Sequence, residues 1–234
     1  MPDIIIAIDG HSSTGKSTLA KKLAKELGYA FIDTGAMYRA VTLHAIRKGY
    51  FKNNQLDASA LVADLADMKL RFICDTQTGK SEMYLNGENV EAFIRSMEVS
   101  EKVSLVAVVP EVRQKLVAQQ HDMGIEKGIV MDGRDIGTVV FPEAELKIFM
   151  TASAEIRAQR RFEELKAKGH KDITYAEVLK NVVERDDLDS NRSESPLKKA
   201  PDSKTLDNSH LSQDEQFDIA LAWAKKAIAE TVLS

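Results

Sequence analysis

The chain has 234 residues, 44% of them hydrophobic, enough to bury a full core as one domain with an insertion or as two small ones. Its 36 acidic residues outnumber its 32 basic ones, giving a net charge of −4, a balance opposite to the basic field of a nucleic-acid binder, although local basic pockets stay open. The lone cysteine, Cys74, excludes an intrachain disulfide framework, and no apolar run approaches the ~20 residues of a membrane span. Met1-Pro2-Asp3 lacks a basic start, so the expectation is a protein of the reducing cytoplasm with no membrane partner. Cys74 lies in a strand-like run and is expected to be a buried thiol.

The predicted elements begin with an apolar run, Ile4-Ile5-Ile6-Ala7-Ile8, read as a buried strand. Gly10-His11-Ser12-Ser13-Thr14-Gly15-Lys16-Ser17-Thr18 follows and opens a helix over Lys16 to Leu27, with Leu19, Ala20, Leu23, Ala24 and Leu27 on one face and Gly28 as its stop. G-x-x-x-x-G-K-[ST] between a strand and a helix is a phosphate loop. Its glycines let backbone N–H groups curl around phosphate oxygens, and the helix points its positive end at the same anion. Lys16 adds a mobile charge near the β and γ phosphates, and the Ser17 hydroxyl suits Mg²⁺. The stretch implies binding of a nucleoside triphosphate.

Tyr29 to Asp33 reads as a second, parallel strand, which brings Thr34 and Arg39 to the same sheet rim as the phosphate loop. They suit a second substrate, and the alternative is that Asp33 or Thr34 caps the helix that ends near Gly49. From Tyr50 to Val109 the character changes. After a polar linker, Lys52 to Gln55, Leu56 to Met68 looks helical. Leu70–Cys74 and Glu82–Leu85 look like strands joined through Thr78-Gly79-Lys80, and Asn86-Gly87 turns into a third strand around Asn89 to Phe93. An antiparallel meander inside a parallel chain suggests an inserted lobe, either functional or decorative. Ser104 falls on the helix after Ser96, and Pro110 opens another ahead of Arg113.

Gly128 to Asp132 is the next core strand. Its terminal Asp132 suits a magnesium–water shell or a structural hydrogen bond. In Gly133-Arg134-Asp135-Ile136-Gly137, Arg134 suits an anion and Asp135 a base, against the alternative of a surface ion pair. Leu146–Met150 is a further strand, and a helix from Ala154 to Lys168 carries Arg157, Arg160 and Arg161, either over the nucleotide or on a solvated face. Thr174 and Glu177 form a capping box before a stripe of Tyr175, Val178, Leu179, Val182 and Val183. Arg185 continues that stripe inward, and Arg185, Asp189 and Arg192 share one face, where arginine forks would meet a transferred phosphoryl group. Residues 193–209 read as loop with at most an edge strand at Thr205-Leu206. Ser212 and Glu215 then box the start of a last helix with Phe217, Leu221, Ala224 and Ile228 inside and Trp223 beside them. No internal repeat stands out.

Five stretches together carry a resemblance: IDGHSSTGKST (Ile8–Thr18), DTGAMYRA (Asp33–Ala40), Ser104 with Pro110-Glu111-Val112-Arg113, DGRDIGTVVFPEA (Asp132–Ala144) and ERDDLDSNR (Glu184–Arg192). In this order the chain resembles the bacterial-type cytidylate kinases, P-loop nucleoside monophosphate kinases, over nearly its whole length. The resemblance implies an α/β P-loop kinase fold with a central five-stranded parallel sheet flanked by helices. It also implies a core over 1–49, 110–185 and 200–234, an inserted CMP-binding lobe with a small antiparallel sheet over 50–109, and a short lid over 186–199. The implied reaction is transfer of the γ-phosphoryl of ATP to CMP or dCMP with Mg²⁺, by a monomer. Thr34, Ser104, Arg113 and Asp135 would surround the cytosine. Arg39, Arg134, Arg185 and Arg192 would hold phosphates, Asp189 with Arg185 would contact the sugar, and Lys16, Arg134, Arg185 and Arg192 would carry the transfer. Thr34 stands where members often have serine, and Leu188 where some have a lid arginine. Rival acceptors are UMP, AMP and shikimate. A GTP switch would show an Asn-Lys-x-Asp motif, which the sequence lacks.

Overall fold

The apolar runs near positions 5, 130 and 148 pair side by side, and that pairing builds the scaffold. The computed structural model describes residues 2–74, 81–167, 169–170 and 172–232. In chain order the elements are β1 (Ile5–Gly10), α1 (Lys16–Leu27), β2 (Ala30–Asp33) and α2 (Thr34–Arg47), then β3 (Phe51–Lys52), β4 (Gln55–Leu56) and α3 (Ala58–Asp64). Next come β5 (Leu70–Cys74), β6 (Ser81–Leu85), β7 (Glu88–Asn89), α4 (Met97–Ala107), α5 (Pro110–Met123) and β8 (Ile129–Gly133). A π-helical turn, Ile136–Val140, leads to β9 (Leu146–Thr151), α6 (Ala154–Ala167), α7 (Tyr175–Asn191), β10 (Lys204–Asp207) and α8 (Gln213–Thr231).

Five strands form one sheet in the order β10-β9-β1-β8-β2. β1 runs parallel to β8 with Ile8 opposite Asp132 and Asp9 opposite Gly133, and parallel to β9 with Asp9 opposite Phe149. β10 extends the sheet with Asp207 opposite Thr151. Parallel register therefore gathers Asp9-Gly10, Asp132-Gly133, Thr151 and Asp207 at one rim, where α/β sheets bind their ligands. The central strands β1 and β8 are buried along their whole length, as a sheet covered on both faces requires, while the edge strand β10 buries only Leu206.

The chain divides into two compact units, one built from the residues up to Phe31 together with those from Glu126 onward, the other from Ile32–Ile125. In the larger, Ile4, Ile6, Ile8, Val130, Ile148 and Met150 pack with Leu19 and Leu23 of α1 and with Ala220, Ala224 and Ile228 of α8. Each large aliphatic side chain so buried contributes about 1.5–3 kcal/mol. The smaller unit has its own core, in which Met37, Val41, Leu61, Met83, Val103 and Leu116 are buried. α2 and α5 share that core, so the unit is wider than the 50–109 stretch set off by composition.

Several elements depart from expectation. Residues 52–55 are a β-hairpin rather than a linker: Phe51 pairs with Leu56, and Asn53 and Asn54 both take left-handed φ of 49° and 59°, which asparagine tolerates. The helix predicted from Leu56 starts only at Ala58, capped by Asp57, and tightens into a 3₁₀ turn at Leu65–Asp67. β7 stops at Asn89 because its side-chain oxygen accepts from the Glu91 N–H, and a 3₁₀ turn occupies Phe93–Arg95 where strand was expected. On α8 the buried line is Gln216, Ala220, Ala224, Ala227 and Ile228, with Phe217 and Leu221 at its flank, since small residues permit closer approach. Val183, predicted inside α7, is exposed. Both capping boxes form, at Thr174–Glu177 and Ser212–Glu215. Trp223 packs against the core edge under Lys204. The turn at Thr78-Gly79-Lys80, Lys168 and the side chain of Cys74 lie outside the described residues. Among the described residues no helix is long and apolar enough to cross a membrane.

Gly10 ends β1 where a Cβ would stand 2.1 Å from the Met150 carbonyl oxygen. Gly10→Ala must push the central strands apart. We expect it to cost more than ~3 kcal/mol, a fall in Tm of roughly 6–12 °C for a chain of this size, read by thermal circular dichroism. A fall under about 2 °C would mean that the strand end yields cheaply.

Candidate active site

The phosphate loop runs from Gly10 to Thr18 in the larger unit. Ser13 and Gly15 take φ of 60° and 89°, and these left-handed turns curl the backbone into a cradle. No side chain caps α1 at Gly15, and the buried Ser12 Oγ has no hydrogen-bond partner among the described residues. Lys16 is buried. Its ammonium donates to the His11 carbonyl at 2.7 Å and lies 3.4 Å from Thr14 Oγ1. Burial first, and the charge of Arg134 second, lower its pKa to about 7. Ser17 Oγ donates to Asp132 Oδ2 at 2.8 Å, so the two residues assigned to a metal from sequence come together.

The loop is braced from behind. Arg157, expected either over a nucleotide or on a solvated face, is buried and donates to the carbonyls of Ala152 and Ser12 at 2.9 and 3.4 Å. Its fork also grips Asp186 at 2.9 and 2.5 Å, and Asp186 lies 3.2 Å from His11 Nδ1. Asn208, just beyond β10, donates to the Thr14 carbonyl and to Gln216 Oε1, both at 2.7 Å, and accepts from Arg160 at 3.1 Å. Arg161 pairs with Glu164 on the surface. Asn208 and Asp186 were missed from the sequence. The polar loop around Asn208 carried no signal, and Asp186 was lost in a charge run.

Opposite the loop sits an arginine–aspartate cluster. Arg134 Nε donates to Asp189 Oδ2 at 2.8 Å. Arg192 caps the end of α7 and donates to the Ser195 carbonyl, and its guanidinium lies 3.9 Å from both Asp189 and Asp135. Burial alone would raise the pKa of Asp189, but the charge and hydrogen bond of Arg134, with Arg185 and Arg192 behind them, hold it below the usual carboxylate range. α7 is continuous through Asn191, so Arg185 and Asp189 share a face as expected. The half-buried Arg185 leaves its Nε without a hydrogen-bond partner, and burial, then Arg134, lower its pKa to about 10. Asp9 was not singled out from sequence, although an acid closing a buried apolar strand is a legible signal. Its carboxylate accepts from the N–H groups of Ile136 and Gly137 at 2.8 and 2.7 Å.

The smaller unit holds the remaining candidates. Asp33 caps α2, accepting from Ala36 N at 3.0 Å, and pairs with Arg95 at 2.7 Å. Thr34, the first residue of α2, is buried. Arg39 donates to Ser100 Oγ at 2.8 Å and to the Ile94 carbonyl at 3.3 Å. Ser104 is buried on α4. Arg113, buried on α5, donates to the Ala107 carbonyl at 3.1 Å and lies over the Tyr38 ring. Arg95 and Ser100, which hold Asp33 and Arg39, gave no motif to notice.

A parallel five-stranded sheet with a phosphate loop after its first strand, faced by clustered arginines, defines a P-loop kinase fold. A solved structure of an uncharacterised protein from Eubacterium ventriosum aligns with a TM-score of 0.52 at 13% identity over 96% of this chain and 99% of that one, a likeness of fold alone. The sequence profile of the cytidylate kinase family matches residues 6–226. A cytidylate kinase of Parabacteroides distasonis is 57% identical over 228 residues, covering 97% of this chain and 99% of the relative. One from Flavobacterium johnsoniae is 59% identical over 221 residues, 94% of this chain and 96% of the relative. The chain belongs to the cytidylate kinase family.

Proposed function

We propose that the chain transfers the γ-phosphoryl group of ATP to CMP, and to dCMP, giving the nucleoside diphosphate and ADP. The family match over residues 6–226 carries the acceptor. The meeting of Lys16, Ser17, Asp132, Arg134 and Asp189 around the phosphate loop supports the chemistry. Transfer proceeds through a loose transition state, so the protein has to align the acceptor and neutralise charge; no side chain has to abstract a proton. Lys16 serves the β and γ oxygens, and Arg134, Arg185 and Arg192 serve the group in flight. Arg39 holds the acceptor phosphate, and Asp189 with Arg185 meets the sugar.

Among the described residues no three His, Cys, Asp or Glu side chains cluster as a metal cage. The Ser17–Asp132 pair nevertheless fits Mg²⁺, which keeps most of its water and takes one or two protein oxygens beside substrate phosphates. Bound there, it would neutralise oxygens on the β and γ phosphates. The enzyme acts in the cytoplasm as a monomer, with residues 50–109 as its acceptor lobe and 186–199 as its lid.

Cytosine is told from uracil at its exocyclic amine. Asp135, buried and acceptor-only, complements that donor, while Thr34, Ser104 and Arg113 answer the remaining edge. Uracil presents a carbonyl in place of the amine, a buried mismatch worth about 1–3 kcal/mol. Asp135→Ala is therefore expected to lower the CMP-to-UMP ratio of kcat/KM by roughly 5- to 150-fold. Steady-state ADP formation with each acceptor reads it, and an unchanged ratio would remove Asp135 from the base site.

A further inference from the structure

Asp9 is almost fully buried at the end of β1, directly before the phosphate loop. Each of its oxygens takes one N–H from the turn that follows Asp135: Oδ1 from Ile136 at 2.8 Å and Oδ2 from Gly137 at 2.7 Å. Gly137 leaves little room for a side chain. A Cβ there would stand 3.3 Å from Asp9 Oδ2 and 3.2 Å from the Lys147 stem. The turn is thus pinned between Asp9 and Lys147 in a π-helical geometry that also accepts, at the Asp135 carbonyl, the N–H groups of Val139 and Val140. We infer that Asp9 is a positioning residue for the transfer: its two-pronged grip on the Ile136 and Gly137 amides sets Asp135 and Arg134 in place against the phosphate loop. The inference rests on the proposed reading of Asp135 as the cytosine-reading group.

The charge on Asp9 is what makes the grip, because only a carboxylate presents a separate acceptor oxygen to each of the two amides. Burial holds its pKa up at about 6, the two amide bonds work against that shift, Asp135 adds to it and Lys16 opposes it. Arg134 also faces it electrostatically. Protonation, or an asparagine, replaces one acceptor by a donor that faces an N–H.

The test uses Asp9→Asn, which keeps the size of the side chain, with Gly137→Ala as an independent way of loosening the same contact. ADP formation is followed with CMP and with UMP from pH 5.5 to 8, beside circular dichroism to show that the fold persists. Asp9→Asn is expected to lower kcat/KM for CMP by about 10- to 100-fold and to shrink the CMP-to-UMP ratio, with Gly137→Ala moving the ratio in the same direction. The acceptor phosphate itself titrates near pH 6 in every variant and cancels in the wild-type-to-Asn ratio. Lys16, with a pKa of about 7 and attracted by Asp9, does not cancel, so the pH dependence is read together with the CMP-to-UMP ratio. The wild-type-to-Asn ratio is expected to fall toward one as the pH drops through the Asp9 pKa, since the protonated wild type then resembles the variant. A CMP-to-UMP ratio within about twofold of wild type in both variants, with a pH-independent wild-type-to-Asn ratio, would overturn the role of Asp9 while leaving the kinase reading intact. A wild-type enzyme that ignores CMP would overturn that reading and this inference with it.

Discussion

Lys16→Met is expected to lower kcat for CMP phosphorylation by about 10³-fold or more while leaving Tm unchanged or higher. The ammonium is buried and bonded to the His11 carbonyl at 2.7 Å, and the attraction of Asp132, Asp9 and Asp189 does not offset its burial and the repulsion of Arg134, which together lower its pKa. A buried charge so incompletely compensated costs folding energy, and methionine keeps the stem while removing that cost. Activity and stability should therefore move independently. Turnover above about a tenth of wild type would rule out Lys16 as the charge that stabilises transfer. A large fall in Tm would mean that its bonds to the loop carry structure instead.

Arg185→Ala is expected to reduce kcat by roughly 10³-fold, with a shift in Tm of less than about 3 °C. Arg185 sits beside Arg134, a like charge, and its Nε has no hydrogen-bond partner among the described residues. Burial and that neighbour lower its pKa to about 10, both unfavourable to the cation. Such an arrangement is explained by an anion that arrives during the reaction rather than by the folded state. Single-turnover measurements at saturating CMP separate the transfer step from binding. Preserved kcat with a large fall in Tm would make Arg185 structural. The same experiment on Arg192 should show a larger structural share, since its guanidinium already holds the Ser195 carbonyl.

Asp189 offers a check on the cluster's electrostatics. Its folded pKa lies below its unfolded value, so the paired carboxylate adds stability at neutral pH. That stability is present above the unfolded value of about 4 and is lost as pH falls through the lower folded one. Asp189→Asn should flatten the acid limb of Tm against pH in that window. An acid limb identical to wild type would mean that Arg134 and Arg192 do not depend on this charge.

Local spacing dictated much of this protein. The phosphate loop is legible because a strand, two glycines, a lysine and a hydroxyl must follow one another in the chain to wrap an anion. The two capping boxes and the Arg185–Asp189 spacing are equally local, being set by the turn of one helix. The central strands β1 and β8 were legible because parallel strands buried on both faces are written as unbroken apolar runs, whereas the edge strand β10, with only Leu206 buried, showed as no more than Thr205-Leu206 in a polar loop.

What the tertiary structure alone decided is how distant polar groups meet. Asn208 reaches the Thr14 carbonyl across 194 positions, and Asp9 reaches Gly137 across 128. Neither pairing has a spacing that sequence could display, since each depends on strand order and register in the sheet. Arg157 carried two readings in the sequence, and only the position of α7 shows that its fork closes on Asp186. The hairpin at Asn53-Asn54 was misread, and on α8 the reading found Ala224 and Ile228 but not Gln216, Ala220 and Ala227, for a related reason: short polar turns and alanine-rich faces encode little hydrophobic contrast, and packing neighbours choose among their near-equal alternatives.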